Sequence, residues 1–233
     1  MTACFHLHPA RVLNCGLPRN DWLAPDIRLP SDLAEAADRL AEMCGSRKLC
    51  LYAPTFRDEK REWSPMSRDQ LVQLSQLLAA HGAVLGIRPH ITVPETFFDN
   101  LPGCLDLSSS VFPEVQVALR HADMLITDYS STSLDFMLME RPILSFAPDL
   151  SEYTRGYLYS FRDVFPGIVL ESYSDLLDAV CKVYTDEEFR SDCVQIAGSV
   201  FHLFHEYGRK DISAKIVENI FLERSSGVVE VEG

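Results

Sequence analysis

Short apolar runs alternate along this chain with stretches in which apolar residues recur every three or four positions. The runs predict buried strands at residues 48–53, 83–87, 104–107, 124–127, 143–146 and 168–170, with a further strand at 11–15. The periodic stretches predict helices at 31–44, 67–81, 94–100, 113–121, 173–184, 186–203 and 210–224. Segments 59–65 and 157–165 are predicted to be irregular. Strands that alternate with helices indicate an α/β fold, a Rossmann-like parallel sheet with helices on both faces.

The stretch 124–145 is predicted to be the centre of the fold. A buried strand leads into a turn with Asp128 and the hydroxyl residues Ser130, Ser131, Thr132 and Ser133, and a helix then runs to Arg141-Pro142. Hydroxyls and free N–H groups at the start of a helix are donors for a phosphate. The alternative is that a serine only caps the helix and Asp128 only forms the turn, because no glycine-rich phosphate loop is present.

Other polar residues also follow predicted strand ends. Arg57 comes after the first long strand, and Arg88 and His90 come after the next one. Parallel strands end at one rim, so these side chains are expected to converge with the 128–133 turn on a cradle for a diphosphate. Taken singly, each arginine is also consistent with a solvated or salt-bridged surface group, and His90 with a structural role.

Composition narrows the classes of partner. The 233 residues, 47% of them hydrophobic, suit one large or two small domains, and the net charge of −13 argues against nucleic-acid binding. The seven cysteines are scattered without a C-x-x-C pair, as in a reduced cytoplasmic protein. No apolar run approaches the length of a membrane span, and residues 1–10 lack a signal-peptide pattern. His6 and His8 have no partner pattern for a metal, so none is expected, and no cofactor is expected either.

Several spaced blocks carry a resemblance. G-L-P-R-N-D (16–21), Y-A-P-T-F-R-D (52–58), R-P-H (88–90), L-I-T-D-Y-S-S (125–131), E-R-P-I (140–143), D-L-S-E-Y (149–153) and P-G (166–167) occur in this order. Together they resemble the C-terminal half of the CDP-glycerol glycerophosphotransferases, the teichoic-acid and capsule polymerases, over about residues 12–220. The resemblance implies the C-terminal half of a GT-B fold. It also implies transfer of glycerol phosphate, or a related alditol phosphate, from CDP-glycerol to a hydroxyl of a growing polymer, with release of CMP.

The resemblance also implies roles and boundaries. His90 matches the family's histidine and is the candidate catalytic residue. The candidate donor-binding residues are Arg57, Arg88, Asp128, Ser130, Ser131, Thr132 and Asp135. Residues 1–22 are expected to be a remnant of the N-terminal domain or junction, 23–224 the nucleotide-donor domain with its C-terminal helices, and 225–233 a flexible tail. A lipid-linked acceptor implies a cytoplasmic protein, peripheral at the inner face of the membrane.

The chain also departs from the family pattern. The acceptor-side W-H-G-T block of the family's N-terminal half is absent from these residues. The family's usual His-Pro order is reversed, because Pro89 precedes His90, and Lys215 stands where the family commonly has arginine. We therefore expect a separate acceptor domain to complete the enzyme. Two alternatives stay open: a non-catalytic module that binds a CDP-alditol, and a GT-B glycosyltransferase that uses another nucleotide sugar.

Overall fold

The computed structural model describes residues 6, 8, 12, 15–55, 64–90, 98, 100–152, 160–205 and 210–222, with side chains up to residue 220. The predicted strand 11–15, loop 59–65 and helix 94–100 lie wholly or mostly outside these residues. So do Arg57 and the predicted tail 225–233.

The described elements begin with a 3-10 helix, Pro18–Leu23. The chain then forms α1 (Ser31–Cys44), β1 (Lys48–Ala53), α2 (Arg68–Ala80), β2 (Ala83–Ile87), β3 (Cys104–Asp106), α3 (Val115–His121), β4 (Met124–Thr127), α4 (Thr132–Phe136), β5 (Ile143–Phe146), α5 (Phe161–Val164), β6 (Ile168–Leu170), α6 (Tyr173–Thr185), α7 (Glu187–Phe204) and α8 (Ile212–Val217). A 3-10 turn, Met137–Met139, follows α4, and a π-helical turn, Glu218–Leu222, follows α8. None of the helices in the described ranges has the length and apolarity that a bilayer span requires.

The six strands form one parallel sheet in the order β3-β2-β1-β4-β5-β6. In chain order, β1, β2 and β3 extend the sheet in one direction. The next strand, β4, pairs with the other edge of β1, and β5 and β6 extend the sheet from there in the opposite direction. Leu51 of β1 lies between Gly86 of β2 and Leu125 of β4. This is the doubly wound, Rossmann-like order, so the predicted fold class is confirmed.

The sheet is buried on both faces, because its strand residues point alternately into two apolar clusters. Leu49 and Leu51 of β1 join the cluster beneath α1 and α3. Cys50 and Tyr52 join the cluster beneath α2 and α6. Continuous apolar strands of this kind are typical of a parallel sheet covered by helices on both sides.

The helix after the 128–133 turn is much shorter than predicted. The pattern Leu134, Met137, Leu138 has helical spacing, yet α-helical geometry ends at Phe136 and a 3-10 turn takes over. Glu140 then adopts a left-handed conformation (φ 52°), and Pro142 cannot continue a helix. The segment 160–165, predicted to be irregular, contains the single-turn helix α5.

Two glycines provide a matched test of the packing. A Cβ at Gly167 would lie 2.2 Å from the carbonyl oxygen of Ile143, whereas a Cβ at Gly198, within α7, meets nothing within 4 Å. We expect Gly167→Ala to lower the free energy of unfolding by about 3 kcal/mol, because β5 or β6 must shift. Gly198→Ala should raise it by about 1 kcal/mol through helix propensity. Urea unfolding of both variants checks this, and a Gly167→Ala protein as stable as wild type would contradict the strand packing.

Candidate functional site

The candidate site lies at the carboxyl ends of β1 and β4, the two central strands. Chain order reverses at this pair, since β2 and β3 extend the sheet on one side and β5 and β6 on the other. Open α/β sheets bind ligands in the crevice at such a reversal. Thr55 follows β1 and the 128–133 turn follows β4, so both stand at this crevice.

The Asp128 side chain ties the two strand ends together. It is fully buried, and its Oδ1 accepts from the N–H groups of Thr55 and Tyr129 at 2.9 and 2.7 Å. Its Oδ2 accepts from the Thr55 hydroxyl at 2.9 Å. The Ser145 hydroxyl, on β5, donates to the Asp128 backbone carbonyl at 3.3 Å. Asp128 therefore links the ends of β1, β4 and β5 beneath the turn. Its predicted contact with the nucleotide-activated substrate stays a prediction.

The hydroxyl turn keeps donors available for a ligand. The Ser130 hydroxyl donates to Thr132 Oγ1 at 2.9 Å, and the Ser133 hydroxyl donates to the Ser130 carbonyl at 2.8 Å. Ser131 occupies the N-cap position of α4 but makes no side-chain capping bond. Across the described ranges, the N–H groups of Ser130 and Ser131 and the Ser131 hydroxyl donate to no protein acceptor. Since α4 has only five residues, these individual donors, rather than a helix dipole, are what the turn offers an anion.

Asp135 holds an arginine beside these donors. Its carboxylate, 4% exposed, accepts from Arg19 Nε at 2.8 Å and from Arg19 Nη2 at 3.2 Å. Asp135 lies four residues after Ser131, on the same side of α4, so the guanidinium stands near the turn. The Arg19 side chain is 45% exposed, and in the described part of the chain its Nη1 has no protein acceptor. Arg19 was not among the predicted site residues, although it lies in the G-L-P-R-N-D block.

Asp21 fixes the same block to the C-terminal helix. Its buried carboxylate accepts from the N–H groups of Ile212 and Ser213, both at 2.8 Å, which are unpaired donors at the start of α8. Burial raises the pKa of Asp21, but the hydrogen bonds from Ser213 and Ile212 and the charge of Lys215 outweigh it. The net pKa therefore lies below the ordinary value of 3.8.

We expect Asp21 to make folding sensitive to acid. A carboxyl group with a lowered pKa in the folded state stabilises the fold above pH 3.8, and this stabilisation is lost as the pH falls through the folded-state value. Asp21→Asn should therefore lower the free energy of unfolding at pH 6 and flatten its fall below about pH 4. Urea titrations at pH 3 and pH 6 measure this, with Asp38→Asn, at an exposed position of α1, as the control. An unchanged difference between the two pH values would contradict the role of Asp21.

Arg88 is engaged by the protein backbone. Its Nη1 donates to the carbonyls of Leu107 and Phe112 at 2.9 and 2.7 Å, and its Nη2 donates to the carbonyl of Pro113 at 3.1 Å. Burial lowers the pKa of this guanidinium from its ordinary value, although the negative charge of Glu114 acts to raise it. Arg88 thus orders the connection between β3 and α3 at the rim of the crevice. Its predicted contact with phosphate stays a prediction.

His90 lies three residues beyond β2, half-buried, at the same rim. The structure therefore places the predicted catalytic histidine at the carboxyl edge of the sheet, on the β2 side of the crevice. Among the described residues, no group of three or more His, Cys, Asp or Glu side chains is arranged to hold a metal ion.

A small cavity opens on the β5–β6 side of the turn, which we call the hydroxyl–aromatic cavity. Its volume is about 140 Å³, and its walls include Ser130, Ser131, Ser133, Phe161, Phe165 and Phe204. Tyr129 supports it: its hydroxyl donates to Asp149 Oδ1 at 2.8 Å, and its ring packs edge-on against Phe161 with centroids 5.3 Å apart. The site thus combines a turn that offers hydrogen-bond donors with an adjoining pocket of hydroxyls and aromatic rings.

Comparison with known proteins decides the family. The model of the CDP-glycerol:poly(glycerophosphate) glycerophosphotransferase family matches residues 1–222. The chain belongs to this family. A teichoic acid poly(glycerol phosphate) polymerase of Bacillus subtilis (strain 168) is 30% identical over 180 residues, which cover 74% of the chain and 24% of that protein. The teichoic acid ribitol-phosphate polymerase TarL of Staphylococcus aureus (strain NCTC 8325 / PS 47) is 27% identical over 227 residues, covering 93% of the chain and 38% of that protein.

The fold of this family member has a counterpart among solved structures. A structure of the wall teichoic acid polymerase TagF soaked with CDPG superposes with a TM-score of 0.74 at 23% identity, covering 95% of the chain and 52% of that protein. The chain thus spans about half of that structure and less of the two curated relatives above. Of the residues predicted for the glycerophosphotransferase site, Asp128, Ser130, Ser131, Thr132 and Asp135 meet after β4, and Arg88 and His90 lie beyond β2.

Proposed function

We propose that this chain is the donor-binding half of an enzyme that transfers glycerol phosphate, or a related alditol phosphate, from CDP-glycerol to a hydroxyl of a growing teichoic-acid or capsule-like polymer. CMP is the other product. The observation that carries the proposal is a group of hydrogen-bond donors at the chain reversal that have no acceptor among the described residues: the N–H groups of Ser130 and Ser131, the Ser131 hydroxyl and Arg19 Nη1. The chain's membership of the glycerophosphotransferase family supports the choice of donor.

Transfer of the alditol phosphate requires hydrogen-bond donors of this kind around the phosphates. The acceptor oxygen forms a bond to the phosphorus that carries the alditol, the bond from that phosphorus to the CMP oxygen breaks, and the acceptor proton passes to a base. Negative charge on the phosphoryl oxygens is stabilised by hydrogen-bond donors and a guanidinium held in place before the reaction. Asp135 supplies that preorganisation for Arg19, and Asp128 does so for the turn. We propose that His90 either contacts the phosphates or acts as the base that takes the acceptor proton.

The acceptor side belongs to the proposal as well. A lipid-linked acceptor would place the protein in the cytoplasm at the inner face of the membrane, and a separate acceptor domain would bring the polymer end to the crevice. Release of CMP by the isolated chain can be measured with radiolabelled CDP-glycerol and with membranes as the acceptor. Such release would show that this chain alone catalyses the transfer. Binding without CMP release would support the alternative of a non-catalytic CDP-alditol module.

Calorimetric titration tests the donor directly. We expect CDP-glycerol to bind more tightly than UDP-glucose, and Ser131→Ala to weaken CDP-glycerol binding about tenfold, because a hydrogen bond to a charged group is removed. Ser199→Ala, an exposed serine of α7, is the matched control and should bind as wild type does. Tighter binding of UDP-glucose, or no effect of Ser131→Ala, would contradict the proposal.

A further inference from the structure

We propose that His205 is a positioning residue, which holds the peptide unit between Leu134 and Asp135 and thereby fixes the hydrogen-bond donors of the hydroxyl turn. His205 is the residue at which α7 ends, and its Nε2 lies 2.7 Å from the Leu134 carbonyl oxygen. The inference rests on the proposed function, in that the donors of the turn are taken to bind the phosphates. The sequence does not reveal this role, because His205 and Leu134 are 71 residues apart.

The hydrogen bond between His205 and α4 has one possible direction. A carbonyl oxygen only accepts, so the proton must lie on His205 Nε2, and the neutral ring is therefore the Nε2–H tautomer. The half-buried ring also packs on Phe201, one turn earlier in α7, with centroids 5.0 Å apart. The backbone N–H of His205 donates to the Phe201 carbonyl at 2.9 Å. His205 therefore presents a fixed donor to α4.

The helix α4 depends on contacts from outside, because it is very short. It has five residues, and its α-helical geometry ends at Phe136. A helix of this length forms few internal hydrogen bonds, so its shape depends on tertiary contacts. The last carbonyls of a helix lack intrahelical partners, and a histidine side chain can supply one. His205 supplies such a partner to the Leu134 carbonyl.

The peptide unit that His205 holds lies between the two sources of donors for a ligand. On one side, the Leu134 N–H donates to the Ser131 carbonyl at 3.0 Å, so two successive hydrogen bonds lead from His205 to Ser131. On the other side, the same planar peptide unit ends at Asp135, whose carboxylate accepts from Arg19 Nε and Nη2. A rotation of this peptide unit would therefore displace both the Ser131 donors and the Arg19 guanidinium.

Nuclear magnetic resonance of the ligand-free full chain tests the contact itself. The neutral His205 ring should be the Nε2–H tautomer in long-range proton–nitrogen spectra. In His205→Leu, the amides of Ser133 and Leu134, which donate within the turn, should exchange with solvent about tenfold faster, because the turn opens locally. The Leu125 amide of β4, which donates to the carbonyl of the residue before β5, should exchange as in wild type.

Two further variants separate the donor from the ring. His205→Gln keeps an N–H donor at a similar reach and should restore the exchange of the Ser133 and Leu134 amides to within about twofold of wild type. His202→Leu changes an exposed histidine in the last turn of α7 and should leave both amides unchanged. Fast exchange in His205→Gln as well would assign the effect to the ring and overturn the role of the hydrogen bond.

Calorimetric titration with CDP-glycerol measures the consequence for binding. His205→Leu should weaken binding about five- to tenfold, because the donors are no longer held in place before the ligand arrives. His205→Gln should recover most of this affinity, and His202→Leu should bind as wild type does.

The outcomes separate this inference from the proposed function. An Nδ1–H tautomer at His205, or unchanged exchange of the turn amides in His205→Leu, overturns the positioning role. Faster exchange that extends to Leu125 also overturns it, since the effect would then be a general loss of stability, and so does unchanged affinity for CDP-glycerol in His205→Leu. If wild type binds no CDP-glycerol, the proposed function fails, whereas local exchange that His205→Gln restores would still support His205 as the residue that fixes the turn.

Discussion

Replacing Asp128 by alanine is expected to lower the free energy of unfolding by about 3–5 kcal/mol. The substitution removes the acceptor of three donors that lie partly buried around Asp128: the Thr55 N–H, the Thr55 hydroxyl and the Tyr129 N–H. Each buried donor left unsatisfied costs about 1–3 kcal/mol, and the penalties are not fully additive. For a chain of this size the melting temperature should fall by roughly 10 °C.

Urea unfolding and calorimetry measure the Asp128 effect. Asp38→Ala, at an exposed position of α1, should change the unfolding free energy by less than about 0.5 kcal/mol. Asp128→Asn keeps one acceptor oxygen and should fall between wild type and Asp128→Ala. An Asp128→Ala protein within about 1 kcal/mol of wild type would show that the carboxylate does not hold β1 and β4 together.

Replacing Arg19 by methionine is expected to weaken CDP-glycerol binding by about 10- to 100-fold, since charged hydrogen bonds to phosphate contribute about 1.5–3 kcal/mol. The same change also leaves the buried Asp135 carboxylate without its partner, so stability should fall as well. A binding loss alone would therefore not separate contact with the ligand from loss of structure. A second substitution makes the separation.

The double variant Arg19→Met/Asp135→Leu replaces the ion pair by apolar side chains of similar volume, a change that is often neutral or stabilising. We expect it to recover the stability lost in Arg19→Met but not the affinity for CDP-glycerol. Lys210→Ala is the control, because its ion pair with Asp26 is exposed on both sides. A double variant that binds CDP-glycerol as tightly as wild type would remove Arg19 from the donor site.

Much of the sheet was predictable because local chemistry marks its strands. The strand Ala83–Ile87 lies between Gly82, which ends a helix, and Arg88-Pro89, and its predicted bounds are confirmed. The same holds for Lys48–Ala53, Met124–Thr127 and Ile143–Phe146. Apolar runs between turn residues are sufficient for this, since both faces of a parallel sheet are buried.

The assembly of the site was less predictable, because long-range pairing leaves no periodic pattern. Arg19 and Asp135 are 116 residues apart, and Asp21 caps a helix that begins 191 residues later. The direction of the Arg88 side chain, toward backbone carbonyls, depends on the loop after β3. The short length of α4 depends on Glu140 and Pro142, which take precedence over the helical spacing of Met137 and Leu138.

A crystal structure of the chain soaked with CDP-glycerol tests the central claim most directly, by locating the two phosphorus atoms. We predict phosphate oxygens within hydrogen-bond distance, about 2.7–3.2 Å, of the Ser131 N–H and of Arg19 Nη1. A diphosphate bound elsewhere on the chain, with neither Ser131 nor Arg19 in contact, would contradict the account.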